Sequence, residues 1–175
     1  MPYRYPVTAR WFHWITVVLL LVLAIAGIWG TSFEPKDDAL KDLLLDIHQT
    51  TGVVLFVIVV LRLLRRLANP PAPLPSRLPR MVRTTARINH ALLYAMLLIQ
   101  PVVGFLATNA WGFPVIWARL VQLPSPIGHN EAIAPALSKA HEWGAVVLAG
   151  LVALHIAGAT YHGVTRRDGV VRRML

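Results

Sequence analysis

Long apolar stretches alternate with polar, basic or proline-rich segments along this chain. The four stretches cover residues 11–29, 53–67, 91–108 and 143–161. A helix needs about 20 mainly apolar residues to cross a bilayer, and the second stretch reaches that length when it is extended backward through residues 43–48. The stretches show no strand-like alternation of apolar and polar positions. We therefore predict an all-α fold, a four-helix transmembrane bundle of up-down-up-down topology, in a single domain over residues 1–175.

Composition supports a membrane protein over a soluble one. Hydrophobic residues make up 56% of the 175 positions and charged residues only 14%, whereas soluble domains carry about 25% charged residues. The first stretch, with Arg4 and Arg10 before it and Ala24-Ile25-Ala26 near its end, resembles a cleaved signal peptide, but three further stretches favour a retained helix. The absence of cysteine excludes disulfides, cysteine-ligated iron–sulfur or zinc sites and covalent c-type haem.

The basic residues fall mainly on one side of the predicted bundle. Thirteen of the 17 lie in the N-terminal segment, the second-to-third connection and the C-terminal tail: Arg4, Arg10, Arg62, Arg65, Arg66, Arg77, Arg80, Arg83, Arg87, Arg166, Arg167, Arg172 and Arg173. The other side holds Lys36, Lys41, Arg119 and Lys139. The positive-inside rule then places both termini in the cytoplasm. Membrane topology therefore accounts for the net charge of +9. Since the charge needs no other explanation, we predict that the protein does not bind nucleic acid.

The three connections differ in character. The inner connection contains four prolines within residues 69–75, which predict an extended strap. The second outer loop, residues 111–139, is apolar and broken by prolines that include Pro135, which predicts a lid on the outer membrane interface. The first outer loop is acidic, with five carboxylates against two lysines: Glu34, Asp37, Asp38, Asp42 and Asp46.

Histidines are the residues in the apolar stretches that need an explanation. Ionisable side chains are costly inside a membrane and mark function by default. Six of the seven lie in or at the ends of the predicted spans: His13, His48, His90, His141, His155 and His162. Only His129 lies in a loop, where we interpret it as a surface residue.

Helical geometry places the histidines of the fourth span at two depths. His141 and His155 are 14 residues apart, which corresponds to about 21 Å of rise along one face, and His162 continues that face about 10 Å further. A zinc site needs three or four ligands at one depth, whereas haem iron takes two axial ligands from facing helices. The spacing therefore favours two haem groups stacked across the bilayer.

Counting residues from the helix ends predicts the pairs. His48 and His141 both lie at outer helix starts and would share an outer haem. Arg62, 14 residues after His48, is then level with His155, which favours His155 as the partner of His13 in an inner site. The distance to the inner arginines leaves His162 as an alternative partner of His13.

Glycines accompany these histidines at helical spacing. Gly52 follows His48 by four residues and Gly144 follows His141 by three. Small residues there leave room for a flat macrocycle against the helix, although ordinary packing of small residues between membrane helices explains them equally well.

These motifs together resemble the bacterial cytochrome b561 family. They are Arg10-Trp11-Phe12-His13-Trp14, Asp46-Ile47-His48 with Gly52, His90-Ala91-Leu92-Leu93-Tyr94, and His141-Glu142 followed by His155 and His162. Within that family the chain is most similar to the small four-helix members, which include superoxide oxidase. The resemblance covers nearly the whole chain.

The resemblance implies two b-type haems with bis-histidine ligation from His13, His48, His141 and His155, in a multi-pass protein of the bacterial inner membrane. It also implies a quinone partner, ubiquinone, and one-electron oxidation of superoxide at the outer face. A quinone exchanges protons, and His90 and His162 are candidates for that exchange; the alternatives are interfacial histidines or a hydrogen bond to a haem propionate. Arg10, with Arg62 and Arg87, is a candidate partner of the inner propionates, unless these residues serve only topology.

Two functions fit these expectations. The first is a superoxide:quinone oxidoreductase, for which a positive outer mouth formed by Arg119 and Lys139 would be useful. The second is a di-haem electron-transfer or anchor subunit that serves a separate dehydrogenase or hydrogenase, since the acidic first outer loop suits a basic redox partner. An intramembrane metal transporter without haem fits poorly, because the histidines lie at two depths.

Overall fold

Four long helices dominate the computed structural model, which describes residues 4–32, 37–73 and 78–175. They are α1 (Val7–Ser32), α2 (Asp38–Ala68), α3 (Arg80–Ala110) and α4 (Ala134–Thr160). A π-helical turn, Tyr161–Arg166, continues α4, and a 3₁₀ turn, Val171–Arg173, follows it. All four helices are long and apolar enough to cross a membrane, α4 together with its π-helical extension. The predicted all-α class with four membrane helices is confirmed.

The helix boundaries follow from local chemistry. Asp37 caps α2 by accepting a hydrogen bond from the backbone N–H of Ala39 at 2.9 Å. Pro79 immediately precedes α3. Helix α4 begins at Ala134 and contains Pro135 in its first turn, where the missing N–H of proline has no helical partner to lose. The expectation that Pro135 lies in a broken loop was therefore wrong, and α4 starts before its apolar stretch.

A short hairpin occupies the loop between α3 and α4. Its strands, β1 (Ile116–Trp117) and β2 (Val121–Gln122), pair antiparallel. Ala118 and Arg119 turn the chain with positive φ angles of 52° and 59°. The hairpin is attached to α2, because Ala118 N–H donates to Thr50 Oγ1 at 3.1 Å and Arg119 Nε donates to Asp46 Oδ2 at 2.5 Å.

The buried core is small and central. Leu55 and Val59 of α2 meet Leu97 of α3, and partly buried residues of α1 and α4 pack around them. At most 17% of the apolar window of any span is buried inside the protein. Most apolar side chains therefore face outward, as lipid-exposed helices require.

The N-terminal and C-terminal segments meet at one end of the bundle. Tyr5 N–H donates to the Arg173 carbonyl at 2.9 Å, Trp14 Nε1 donates to Met174 O at 3.2 Å, and the Arg10 guanidinium donates to Leu175 O. Arg173 also donates to Pro73 O of the inner connection at 3.4 Å. We call this the inner end and the opposite one the outer end, after the predicted topology.

The predicted strap is non-helical over residues 69–73. Its remaining residues, Leu74 and Pro75, lie outside the described part of the chain. Three charged residues used in the topology argument also lie outside it: Glu34, Lys36 and Arg77.

Candidate functional site

Two histidines face each other at the outer end. The ring centroids of His48 on α2 and His141 on α4 lie 6.0 Å apart, with an interplanar angle of 89°. His48 Nδ1 lies 3.0 Å from the Leu23 carbonyl oxygen on α1. A carbonyl oxygen only accepts hydrogen bonds, so Nδ1 carries the proton and Nε2 keeps a free lone pair. A histidine that binds a metal commonly has this arrangement.

Glycines on neighbouring helices make room for these two rings. A Cβ atom at Gly27 would lie 2.9 Å from the His48 ring, and one at Gly104 would lie 2.8 Å from Cε1 of His141. Both distances are shorter than a carbon–carbon contact allows. Spacing from a histidine identifies only glycines on the same helix, so Gly27 and Gly104, which lie on other helices, were not predicted from the sequence.

The two predicted glycines have different surroundings. A Cβ at Gly52 would meet only Leu23 Cδ2, at an ordinary 3.9 Å. A Cβ at Gly144 would lie 2.5 Å from Gln100 Nε2, and this amide donates to the His141 carbonyl at 3.0 Å. Gly144 thus admits a polar side chain of α3 that is 6% exposed and that ties α3 to α4 at the level of His141.

Three histidines gather towards the inner end. The His13 and His155 ring centroids lie 6.2 Å apart, and those of His90 and His155 lie 5.3 Å apart. Arg62 Nη2 is 3.2 Å from His13 Nδ1, so Arg62 is level with this pair, as the residue count predicted.

The spacing of the two pairs fits bis-histidine ligation. A metal bound at about 2 Å by one nitrogen of each of two opposed rings separates the ring centroids by about 6 Å. The 6.0 Å and 6.2 Å pairs meet this condition, whereas His90 and His155, at 5.3 Å, are too close. Within residues 4–32, 37–73 and 78–175, no group of three or more acidic or histidine side chains is arranged to hold a metal ion. Paired imidazoles suit haem iron better than zinc.

The three arginines predicted near the propionates lie in different places. Arg62 contacts His13 and stacks on the Tyr94 ring at 5.3 Å, beside Arg66 at 5.5 Å. The Arg10 guanidinium donates to the Leu175 carbonyl, and its buried Nε has no hydrogen-bond partner among the described residues. Arg87 lines a separate cavity on α3. Arg62 is therefore the arginine that the structure places at the inner histidine pair.

His162 lies apart from the histidine pairs, in a buried contact with a carboxylate. Its Nδ1 is 2.6 Å from Asp168 Oδ2, and the two side chains are 11% and 7% exposed. Asp168 also accepts the Val170 N–H at 3.1 Å, and Arg166 Nε lies 3.4 Å away. The π-helical turn and the left-handed Arg167 reverse the chain so that Asp168 returns to His162. Asp168 was not among the residues predicted from the sequence. The signal that could have indicated it is that it is the one acidic residue of an otherwise basic tail.

This pair makes stability depend on pH. Burial raises the pKa of Asp168, but the hydrogen bonds from His162 and Val170, together with the charge of Arg166, outweigh burial and hold that pKa below its ordinary value. A depressed folded-state pKa gives stability that is complete above the unfolded pKa of about 3.9 and is lost as pH falls through the folded pKa.

We expect Asp168→Asn to lower the free energy of unfolding at pH 7 by about 1–2 kcal/mol, because a charge-assisted hydrogen bond is lost. Thermal unfolding of the detergent-solubilised protein at several pH values measures this. The difference between wild type and variant should shrink as pH falls from the unfolded pKa of about 3.9 through the lower folded pKa, because the wild-type carboxylate becomes protonated over that range. Parallel curves over the whole range would contradict the assignment.

Comparison with known proteins identifies the family. The model of prokaryotic cytochrome b561 matches residues 4–175. The chain belongs to this family. It is 29% identical to cytochrome b561 homolog 2 of Escherichia coli K12 over 175 residues, covering 99% of this chain and 92% of that protein. It is 26% identical to cytochrome b561 homolog 1 of the same organism, with 98% and 97% coverage.

A third relative carries an activity in its name. The probable superoxide oxidase CybB of Yersinia pestis is 24% identical over 163 residues, which cover 93% of this chain and 90% of that protein. Cytochromes b561 transfer electrons in membranes and carry haem b. With its four membrane helices, this cytochrome b561 is a multi-pass protein of the bacterial inner membrane.

Proposed function

We propose that this cytochrome b561 holds two haems b, one between His48 and His141 and one between His13 and His155. The two 6 Å imidazole pairs on facing helices are the observation that carries the proposal. His141 and His155 lie about 21 Å apart along α4, so one site would lie near each membrane face. Each bound haem would supply a one-electron redox centre.

The residues around each pair set its orientation and charge. The Leu23 carbonyl oxygen accepts a hydrogen bond from His48 Nδ1, so the ring proton lies on Nδ1 and Nε2 is left to coordinate. Arg62 only donates hydrogen bonds, so its contact with His13 Nδ1 requires the proton on Nε2. Arg62 is thus the positive charge beside His13, and it would be available to pair with a propionate of a haem held there.

For the activity, we propose oxidation of superoxide at the outer face with reduction of ubiquinone. The overall reaction is balanced when two superoxide anions and two protons convert one quinone into quinol and release two O₂. The relative named as a probable superoxide oxidase supports this choice. His90, beside His155, and His162, held by Asp168, are the candidates for delivering protons.

The direct test is purification followed by reaction with superoxide. We expect a red protein with about two non-covalent haems b per chain, which superoxide reduces rapidly and ubiquinone reoxidises. A colourless protein would contradict the cofactor proposal. Intact haems that superoxide does not reduce would contradict the superoxide proposal alone.

One observation favours the second candidate, a subunit that exchanges electrons with a separate redox protein. Both basic residues expected to attract superoxide are paired with carboxylates: Arg119 with Asp46 at 2.5 Å and Lys139 with Glu142 at 3.0 Å. These exposed pairs reduce the positive potential of the outer face.

The Asp46→Asn variant discriminates between the two candidates. If superoxide is the donor, freeing Arg119 should raise the rate constant for haem reduction by superoxide about two- to threefold at low ionic strength, and salt should remove the gain. Stopped-flow measurements at two salt concentrations check this. An unchanged rate at both would favour the electron-transfer subunit.

The glycine at the outer site gives a further test. Gly104→Ala should weaken haem retention at His48 and His141 about tenfold, because the new methyl group displaces the His141 ring. The haem-to-protein ratio after repeated detergent exchange measures this loss. Gly150→Ala is the matched control, since its added Cβ would meet no described atom within 4 Å apart from its chain neighbours and its own helix backbone; equal losses in both variants would contradict the proposal.

A further inference from the structure

A basic cavity lies at the start of α3, apart from the histidine pairs. Its volume is about 340 Å³, and it is lined by Arg80, Arg83, Thr84 and Arg87. These positions follow the i, i+3, i+4, i+7 spacing, so the four side chains share one face of the helix. Three guanidinium groups and a hydroxyl group, all hydrogen-bond donors, therefore converge on one space.

The charge of this cavity is uncompensated by the described part of the protein. None of the three arginines forms an ion pair within residues 4–32, 37–73 and 78–175. The carboxylate of Asp168, which the structure describes at the inner end, is bound to His162 and Arg166 instead. Pro79 provides no side-chain cap to α3, so the first backbone N–H groups of the helix add to the positive potential. The cavity is suited to an anion.

The depth of the cavity identifies the membrane surface as the source of that anion. The apolar stretch of α3 begins at Ala91, about 6 Å along the axis from Arg87, and Arg80 lies about 10 Å further out. In a bilayer whose hydrocarbon core covers this apolar stretch, the arginines lie in the headgroup layer, just beyond that core. Arg62, not this cluster, contacts the inner histidine pair.

We propose that this cavity binds the phosphate headgroup of an anionic phospholipid in the cytoplasmic leaflet. A guanidinium group matches the oxygens of a phosphate with two parallel hydrogen bonds, and basic pockets between membrane helices bind such headgroups. The proposal goes beyond electron transfer and does not depend on it. The positive-inside rule accounts for arginines on the inner side of the bundle, but it does not require them to line a common cavity.

Native mass spectrometry of the delipidated protein in detergent tests the proposal. Cardiolipin, phosphatidylglycerol and phosphatidylcholine are titrated separately, with inorganic phosphate as a competitor. We expect cardiolipin or phosphatidylglycerol to bind at least tenfold more tightly than phosphatidylcholine. Each of Arg83→Gln and Arg87→Gln should weaken that binding about fivefold, and higher salt should weaken it further.

Arg172→Gln is the matched control, because it removes one charge from the same end of the protein outside the cavity. It should leave lipid binding unchanged, and haem content should be the same in all variants. Equal affinity for the zwitterionic lipid, or equal losses in Arg172→Gln and Arg83→Gln, would overturn the proposal. Complete displacement of the lipid by low millimolar phosphate would also overturn it and would indicate a site for soluble anions.

Discussion

Replacing His155 with alanine is expected to lower the haem content of the purified protein from about two groups to about one per chain. The ring centroids of His155 and His13, on the facing helix, lie 6.2 Å apart. Alanine provides no nitrogen that could bind the haem iron. The outer pair, about 21 Å away along α4, should keep its haem. Pyridine haemochrome analysis gives the ratio, and redox titration should show one potential in place of two.

Two further variants make this result specific. His162→Ala should retain both haems, because His162 is bound to Asp168 and not to the inner pair. His129→Ala, a change in an exposed loop residue, should also retain both. Loss of one haem from His162→Ala with two haems retained in His155→Ala would show that His162 is the partner of His13.

The second large effect is expected at the proton-delivery step. His162→Ala should slow the reoxidation of the reduced protein by ubiquinone about 10²-fold, which is the usual contribution of a positioned acid or base. Haem content and the rate of reduction by superoxide should not change. Stopped-flow absorbance, with each half-reaction followed separately, measures the two rates.

Asp168→Asn separates positioning from proton transfer at the same site. The amide can still accept a hydrogen bond from His162 Nδ1 but carries no charge, so we expect a smaller loss, about tenfold. His129→Ala again serves as the control. If His162→Ala slows both half-reactions equally, or also loses haem, its effect is structural and the assignment to proton delivery is wrong.

The histidine pairs show how much the sequence could predict. Counting 14 residues inward from His48 and His141 placed Arg62 level with His155, and the structure puts Arg62 3.2 Å from His13. This count works because a membrane-spanning helix has a fixed rise of 1.5 Å per residue. The count favoured His155, whereas the distance to the inner arginines left His162 open, because the sequence does not show that α4 continues into a π-helical turn.

The glycines show what counting residues within one helix cannot predict. Gly52 and Gly144 were selected by their spacing from a histidine on the same helix, yet Gly27 and Gly104 are the glycines that meet the His48 and His141 rings. Which residues of two helices face each other depends on rotation and crossing angle, which no spacing within one helix contains. Pro135 was misplaced for a different, local reason: proline breaks a helix in its interior but is tolerated in the first turn, where it lies in α4.

The sequence alone determined that this is a four-helix membrane protein with histidines at two depths. Hydropathy and helical rise are properties of each helix by itself, and they persist whatever the neighbouring helices do. Only the tertiary structure showed which imidazole rings lie close together, which glycines make room for them, and that Asp168 returns to His162. The histidine and glycine contacts join residues up to 142 positions apart, as His13 and His155 are, and they depend on packing between helices. The contact of Asp168 with His162 depends on the chain reversal after α4.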